Sequence, residues 1–243
     1  MLHLLNDGSD FSIPENAYLK AREKEGRFFS DAELLLLPAV SAHHPYAGEW
    51  KFRKKSLDIL LQYFSKNAFS QAAELLEIGC GNGWVANRLQ QHGLKVKAID
   101  INNIELEQAA KVFHEVDFYC GDILKAPDLG RFDYVLFMAS LQYFEHPVSL
   151  FHFLKQNYLK DNGKIIVADT RFYTSSALAD AKQRSIRYYH QIGSPEMADF
   201  YFHHSFDVLT SFSFSALKKN TIFENLAGKL GWPVHPFGIY VIH

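Results

Sequence analysis

The chain has 243 residues, of which 48% are hydrophobic and 15% aromatic, enough for one α/β domain with a sizeable core plus an extension or cap. Its 25 Lys and Arg against 27 Asp and Glu give a formal net charge of −2, so it has no overall attraction to nucleic acid or to anionic membranes. No segment approaches the roughly 20 apolar residues of a membrane span, and the N-terminus lacks the features of a signal peptide. We therefore predict a cytoplasmic protein with no membrane segment.

Residues 1–50 show no strong apolar period, so we predict an extension outside the central sheet. Within it, residues 18–31 alternate in charge along a predicted helix. This helix is either a solvated surface element or a lid. If it is a lid, Tyr18, Arg22 or Arg27 would meet a bound ligand.

Apolar side chains next recur at the spacing of a helix with one buried face, at Leu57, Leu60, Leu61 and Phe64. We expect this helix to pack on the sheet just before the first central strand. His43 and His44 precede it, but adjacent residues direct their rings differently and make a poor metal-binding pair. No metal site is predicted.

A regular alternation of strand-like and helix-like segments begins at residue 75. Apolar runs of strand length lie at 75–78, 94–99, 116–120, 132–138 and 164–168, and helical patterns lie at 84–91, 104–113 and 148–159. The run at 132–138 is continuously apolar, as expected for a parallel strand that is covered on both faces. This order predicts a parallel sheet with right-handed crossovers.

Residues 170–211 interrupt the alternation for longer than an ordinary connection between a strand and a helix. They are rich in Tyr and His, and we predict an insertion with some helix of its own. Its aromatic side chains are equally suited to closing over a substrate and to packing a core. Beyond it, residues 222–230 predict a last helix, and residues 234–237 and 239–242 predict two short strands.

The first central strand runs into a turn, residues 77–83, whose glycines follow the pattern G-x-G-x-G. Gly79, Gly81 and Gly83 permit positive φ and a close approach of ligand to backbone. N–H groups at the start of the next helix would face that ligand. A dinucleotide site has G-x-G-x-x-G instead, so the early third glycine counts against an NAD(P)-dependent oxidoreductase, which stays as an alternative.

Polar residues stand at or near the carboxyl ends of the first four central strands: Glu77, Asp100, Asp122 and Ser140. In an open parallel sheet, ligands bind beyond these ends. Three carboxylates on one edge would repel one another without a ligand to share, so their positions favour a binding site over a purely structural arrangement.

From Glu74 to Asp169, and again in the last helix and strand pair, the chain resembles the class I S-adenosylmethionine-dependent methyltransferases, with residues 77–83 as motif I. The resemblance implies that Asp100 takes both ribose hydroxyls and that Asp122 accepts a hydrogen bond from the adenine amino group. The full cofactor site that it implies consists of Glu77, Gly79, Cys80, Gly81, Asn82, Gly83, Asp100, Ile101, Asp122, Ile123 and Met138.

The resemblance also implies a Rossmann-like α/β fold, a seven-stranded, mostly parallel sheet with an antiparallel last strand and helices on both faces. Residues 1–70 would form an N-terminal extension or lid, and residues 71–243 the S-adenosylmethionine-binding domain. Residues 170–211 would be a substrate cap inserted into that domain.

The implied reaction moves a methyl group from a sulfonium to an acceptor. The leaving thioether needs no proton, so the protein chiefly supplies alignment. A general base is needed only if the acceptor must first lose a proton. The candidates for this role are His146, Tyr143, His190 and His203, together with Asp169 and His204.

DNA and RNA amino-methyltransferases of this fold place an Asn/Asp-Pro-Pro-aromatic motif after the fourth strand, whereas residues 138–144 read Met-Ala-Ser-Leu-Gln-Tyr-Phe. Together with the near-neutral charge, this departure makes nucleic acid unfavourable and favours a small-molecule methyl acceptor. A non-catalytic S-adenosylmethionine-binding protein, acting as a sensor or partner, is the second alternative.

Overall fold

The computed structural model describes residues 1–5, 12–67, 72–219 and 236–243. Its helices are α1 (Ser12–Lys24), α2 (Asp31–Leu36), α3 (Ala47–Lys66), α4 (Trp84–Gln91), α5 (Asn103–Val112), α6 (Pro147–Asn157), α7 (Leu178–Gln191) and α8 (Asp207–Thr210). Its strands are β1 (Leu2–Leu4), β2 (Glu74–Ile78), β3 (Lys95–Asp100), β4 (Asp117–Cys120), β5 (Phe132–Met138), β6 (Leu159–Ala168), β7 (Phe172–Tyr173), β8 (His204–Ser205), β9 (Phe214–Lys218) and β10 (Ile239–Ile242). Short 3₁₀ helices occur at Leu141–Tyr143, Ser175–Ala177 and Pro195–Phe200.

Within the described residues, eight strands form one sheet in the order β1-β4-β3-β2-β5-β6-β10-β9. Neighbouring strands from β1 to β6 pair in parallel, whereas β10 runs antiparallel to both β6 and β9. The short strands β7 and β8 pair separately. This topology confirms the predicted Rossmann-like α/β class with an antiparallel end.

The number of strands differs from the predicted seven, because each edge of the sheet carries a strand that the sequence did not reveal. At one edge, β1 pairs with β4, with Leu2 opposite Phe118, so the expectation that the N-terminal residues lie outside the sheet is wrong there. Three residues are too few to display the period-2 pattern of a strand. At the other edge, β9 is half-buried along most of its length, which also hides that alternation.

The predicted last helix, over residues 222–230, lies outside the described residues. The same holds for the first half of the predicted strand at 234–237, and the described residues 236–238 are not in a strand. The final predicted strand, over 239–242, is β10.

Apolar cores cover both faces of the sheet. Leu60 of α3 packs on one face, in a cluster that also contains residues of α4 and α5. Phe151 of α6 packs on the other face. The adjacent β2 residues Leu75 and Leu76 point into the first and the second core respectively, and neither is exposed to solvent. Burial on both faces explains why the central strands read as continuous apolar runs.

A third, smaller core joins the N-terminal helix to the insertion. Ala17 and Ala21 of α1 pack against Tyr189 of α7 and Met197 of the following 3₁₀ helix. The Ser194 hydroxyl donates a hydrogen bond to the Ala17 carbonyl over 3.4 Å. These two segments, which we call the cap, are therefore one packed layer although they are far apart in the sequence. The predicted domain boundaries stay predictions.

None of the described helices is both long and apolar enough to cross a membrane. The cytoplasmic location stays a prediction from the sequence.

Candidate active site

A cavity of about 1180 Å³ lies beyond the carboxyl ends of the parallel strands. One wall comes from the ends of β2, β3, β5 and β6 and from the turn after β4, and the facing wall comes from α1, α3 and the insertion. The predicted cofactor residues on its surface are Glu77, Gly79, Cys80, Gly81, Asn82, Asp100, Ile101, Asp122, Ile123 and Met138. The topology thus brings together side chains that the sequence separates.

The glycine turn after β2 approaches the rest of the protein too closely for side chains. Gly79 has φ +72°, and a Cβ there would stand 2.4 Å from the Ser140 Cβ. Gly83 has φ +71°, and a Cβ there would stand 2.5 Å from the Phe118 ring. Gly83 does not line the cavity, so it serves the packing of α4 on β4. Gly79 and Gly81 form the cavity wall itself.

Asp100, the last residue of β3, holds the glycine turn in place. Its Oδ2 accepts a hydrogen bond from the Gly81 N–H over 2.7 Å, and its Oδ1 accepts one from the Asn102 N–H over 2.9 Å. Burial raises the pKa of this carboxyl to about 6, although these backbone hydrogen bonds oppose the shift. Asp100 is thus a positioned carboxylate that is ionised at neutral pH and has lone pairs left for hydroxyl donors.

Glu77, near the end of β2, carries a buried acceptor without a partner. The residue is only 1% exposed, and its Oε2 has no hydrogen-bond partner among the described residues. Burial, and then the charge of Asp100, raises its pKa well above the ordinary value. An unpaired buried carboxylate oxygen at a cavity wall is costly unless a ligand donor reaches it.

These features fit S-adenosylmethionine. Its ribose hydroxyls and its ammonium group would supply donors for Asp100 and Glu77, and the glycine backbone leaves room beside them. Asp122 follows β4, and its Oδ1 accepts a hydrogen bond from the Leu124 N–H over 2.9 Å. Ile123 beside it is only 2% exposed. A carboxylate next to an apolar side chain is suited to bind a nucleobase that carries an exocyclic amine.

Helix α1 contributes to the wall of this cavity, and its role as a lid stays a prediction from the sequence. Tyr18 and Arg22 both line the cavity. The Arg22 Nη2 donates to Glu105 Oε1 over 3.2 Å, and Glu105 is 3% exposed. Sequence reasoning missed Glu105. The available signal was Asn102 three residues earlier, whose Oδ1 accepts a hydrogen bond from the Glu105 N–H at the start of α5.

A cluster of charges lines the cavity on the side of α3. Arg27 donates to both carboxylate oxygens of Glu49, over 3.0 and 2.8 Å, and the Arg53 Nε donates to Glu49 Oε1 over 2.8 Å. Burial raises the pKa of Glu49, but these hydrogen bonds and charges outweigh it and lower the pKa to about 2. Glu49 therefore holds both guanidinium groups in fixed positions.

Asp169, the residue after β6, contributes a second carboxylate from this direction. It is 6% exposed, and its Oδ1 accepts a hydrogen bond from the Ser56 hydroxyl of α3 over 2.5 Å. Its Oδ2 has no hydrogen-bond partner among the described residues. Asp169 is one of the sequence candidates for a base, but no sequence signal pointed to Ser56.

Tyrosines of the cap and of the turn after β5 form a connected wall. Tyr143 meets Tyr18 edge to face with ring centroids 5.7 Å apart, and it meets Tyr201 at 6.0 Å. Tyr201 in turn contacts Tyr189 at 5.9 Å. All four rings line the cavity, while Tyr189 also belongs to the third core. The insertion's aromatic residues therefore both line the cavity and pack the third core, and their closure over a substrate stays a prediction.

The predicted catalytic residues are not gathered at one point. Tyr143 is on the cavity wall, whereas His146 lies at its rim with 78% of its side chain exposed. His190 is exposed near the end of α7, and His203 is half-buried with its ring 2.9 Å from the Ser185 hydroxyl. Neither of these two histidines is among the described residues that line the cavity. His204 is buried, with its ring 3.1 Å from the Leu141 carbonyl oxygen.

Gln142, in the turn after β5, joins the strand ends to the insertion. Its Nε2 donates to the Ala139 carbonyl over 2.5 Å, and its Oε1 accepts from the Thr170 hydroxyl over 3.0 Å. Its backbone carbonyl accepts from the Phe202 N–H over 2.7 Å. The turn beside Met138 is therefore bonded to both the beginning and the end of the inserted segment.

Comparison with known proteins identifies one family over most of the chain. A family model described as a methyltransferase domain matches residues 50–219. The malonyl-[acyl-carrier protein] O-methyltransferase of Haemophilus influenzae is 31% identical over 99 residues, which are 39% of this chain and 36% of that protein. The magnesium-protoporphyrin O-methyltransferase of Rhodobacter capsulatus is 35% identical over 78 residues, 30% of this chain and 34% of that protein. The aligned segments thus span little more than a third of these relatives.

Solved structures with low sequence identity share the fold over nearly the whole chain. The magnesium protoporphyrin IX methyltransferase from Synechocystis PCC 6803, with bound SAH, has a TM-score of 0.58 at 12% identity and covers 96% of this chain and 95% of its own. The plantazolicin methyltransferase in complex with SAH has a TM-score of 0.56 at 15% identity and covers 96% and 97%. At these identities the likeness establishes the architecture.

Proposed function

Because the chain belongs to the class I S-adenosylmethionine-dependent methyltransferases, we propose that it methylates a small molecule bound between the sheet edge and the cap. The cofactor is S-adenosylmethionine, and the family excludes the nicotinamide-dependent alternative. Which residues hold the cofactor, and what receives the methyl group, are parts of the proposal.

The observation that carries the proposal is the size and lining of the cavity. A pocket for one small molecule is typically about 300–1,000 Å³, and this cavity has about 1180 Å³. Asp100 and Asp122 line one end, and Tyr189 and Tyr201 of the cap line the other. The volume thus has room for a cofactor beside a modest second molecule, under a layer that can exclude water.

Glu77, Asp100, Asp122 and the backbone of Gly79 and Gly81 would hold the cofactor. When bound, S-adenosylmethionine supplies an electrophilic methyl group and leaves as a neutral thioether. The protein's own task is then to align an acceptor atom with that methyl group. Tyr18 of the cap and Tyr143 of the turn after β5 contact each other on the cavity wall, which suits them to enclose the transfer.

Two further observations bear on the identity of the acceptor. The relatives named above are O-methyltransferases by name, which favours an oxygen acceptor for this chain. The sequence of the turn after β5 lacks the Asn/Asp-Pro-Pro-aromatic motif of nucleic-acid amino-methyltransferases. This turn instead folds into a 3₁₀ helix at Leu141–Tyr143 that is hydrogen-bonded to the insertion.

The test uses S-adenosylmethionine labelled with tritium in its methyl group. The full chain is incubated with the low-molecular-mass, nucleic-acid and protein fractions of a cell extract, and label and S-adenosylhomocysteine are measured in each. We expect both to appear with the low-molecular-mass fraction. Label confined to nucleic acid or protein would contradict the proposal. Cofactor binding by calorimetry without S-adenosylhomocysteine formation in any fraction would favour the non-catalytic alternative.

A further inference from the structure

The buried carboxylate of Asp169 stands where the acceptor would lie in the proposed function. Along the sheet edge, the strands follow the order β3, β2, β5 and β6, which presents Asp100, Glu77, Met138 and Asp169 in turn. Met138 pairs with Ala168, and adjacent strands lie about 5 Å apart. Asp169 is therefore one strand beyond the predicted methionyl side of the cofactor site.

Its surroundings fix this carboxylate and leave one of its oxygens without a hydrogen bond. The Ser56 hydroxyl donates to Oδ1, while Oδ2 is buried and has no hydrogen-bond partner among the described residues. Asp169 lines the cavity. Its backbone has φ +53°, which is uncommon outside glycine and is retained at sites where a side chain must be presented in one direction.

We propose that Asp169 is the general base of the transfer and that the acceptor is a hydroxyl or an amine rather than a carboxylate. The inference rests on the proposed function. As the acceptor oxygen or nitrogen forms its bond to the methyl carbon, the bond from that carbon to sulfur breaks and its electron pair stays on sulfur. The proton of the acceptor passes to Asp169 Oδ2 and later leaves to solvent.

A carboxylate acceptor would be repelled by the carboxylate of Asp169. A carboxylate acceptor arrives without a proton and needs cations around it, and the like charge of Asp169 would oppose its binding. Arg53, whose charge acts on Asp169, is already held by Glu49. A neutral hydroxyl or amine, in contrast, supplies the donor that Oδ2 lacks.

The ionisation of Asp169 suits this role at neutral pH. Burial raises its pKa to about 6, against the opposing charge of Arg53 and the hydrogen bond from Ser56, while Glu49 adds to the rise. These charged groups both come from α3. Above about pH 6 the carboxylate is ionised and can accept a proton, and its affinity for a proton exceeds that of an ordinary aspartate.

The test compares Asp169→Asn with Asp199→Asn, which removes the same charge from an exposed position in the cap. Both variants and the parent protein are incubated with methyl-tritiated S-adenosylmethionine and the low-molecular-mass extract fraction. Products are treated with mild alkali, which releases methanol from esters and leaves ethers and methylamines intact. Binding of S-adenosylhomocysteine is measured by calorimetry. The melting temperatures of the ligand-free proteins are recorded from pH 5 to 8.

We expect alkali-stable products and a loss of about 10²- to 10⁴-fold in kcat for Asp169→Asn, with S-adenosylhomocysteine affinity within about threefold of the parent. With S-adenosylmethionine kept saturating at every pH, so that the titration of Asp100 does not limit binding, the acid limb of the parent's kcat profile, near pH 6, should disappear in this variant. The ligand-free parent should lose stability relative to Asp169→Asn as the pH rises through about 6. Asp199→Asn should match the parent throughout.

Alkali-labile products, or an Asp169→Asn protein with the parent's rate and acid limb, would overturn the inference and leave the proposed function intact. A protein that binds the cofactor but labels no small molecule would instead contradict the proposed function. Ser56→Ala helps to separate folding from chemistry, because it keeps the carboxylate and removes the hydroxyl that donates to Oδ1. It should retain most of the activity and shift the acid limb to higher pH.

Discussion

The proposed cofactor side and the proposed acceptor side of the cavity are built from different kinds of contact. On the cofactor side, the Gly81 N–H and the Asp100 carboxylate that hold the turn are 19 residues apart in the sequence. On the acceptor side, Ser56 and Asp169 are 113 residues apart, and Lys20 and Glu196 are 176 apart. The first is a local arrangement of backbone and strand ends that a short pattern can encode. The second exists only once the whole chain has folded.

The largest effect is expected at Gly79, where the local arrangement is tightest. Gly79→Ala would force a Cβ to within 2.4 Å of Ser140 at a φ of +72°. We expect the dissociation constant for S-adenosylhomocysteine to rise about 100-fold or more, and the free energy of unfolding to fall by about 2–3 kcal/mol. Calorimetry and denaturant unfolding measure the two quantities.

Gly130→Ala is the matched control for this change. Gly130 has φ +94°, but a Cβ added there would have nothing within 4 Å of it, so the substitution adds backbone strain without a clash. It should lower the free energy of unfolding by about 1 kcal/mol and leave cofactor affinity unchanged. Equal effects of the two substitutions would mean that close packing does not shape the cofactor wall.

Asp100→Ala should have the next largest effect. It removes a charged acceptor that positions Gly81 and Asn102 and that would also serve the ribose hydroxyls. Such hydrogen bonds contribute about 1.5–3 kcal/mol, so we expect a 10- to 100-fold loss of cofactor affinity by calorimetry. The exposed Asp199→Ala is the control. Unchanged affinity would remove Asp100 from the site.

The pH dependence of cofactor binding should be a smaller effect, and its direction follows from the pKa of Asp100. The raised pKa of Asp100, about 6, means that the carboxyl is protonated below this pH and ionised above it. Binding that requires the ionised form is therefore lost as the pH falls, by about tenfold between pH 7 and pH 5. Calorimetry at these two values measures the change, and Asp100→Ala should flatten it. Tighter binding at pH 5 would contradict the assignment.

The smallest effect is expected from a long-range contact of the cap. Lys20 and Glu196 form an ion pair, but their side chains are 45% and 40% exposed, and such pairs contribute at most about 1 kcal/mol. Lys20→Ala should change the acceptor KM by less than about fivefold, because Ala17, Ala21, Tyr189 and Met197 already join the cap. A larger change would show that the ion pair, rather than this apolar core, fixes the cap.

The contrast between the two sides also explains how much of the fold and of the site could be predicted from the sequence. The parallel sheet follows from continuous apolar strands, and the cofactor wall follows from acids at their ends, because the carboxyl ends of parallel strands meet at one edge. Asp100 and Asp122 could therefore be brought to one cavity from the sequence, although their contacts with a cofactor stay predictions. The edge strand β1 could not be predicted, since a strand of three residues is too short to show an alternating pattern.

The acceptor side lacked any comparable signal. His190 and His203 were attractive as titratable residues in an aromatic insertion, but the fold turns them away from the cavity. Ser56 reaches the site from a helix face, as Glu105 does beside the Gly81 turn on the cofactor side. A helix presents many polar residues with nothing in its period to mark the one that meets a ligand. Side chains brought together by tertiary packing leave no local pattern in the sequence.

The hydrogen bonds of Gln142 have a consequence for the order of events during turnover. One side chain joins the turn beside Met138 to Thr170, and its backbone joins that turn to Phe202. A cofactor bound against Met138, as the sequence predicts, would therefore restrain both anchors of the inserted segment before the acceptor arrives. Binding of the two substrates should be cooperative, and thermodynamic reciprocity requires each to tighten the other by the same factor.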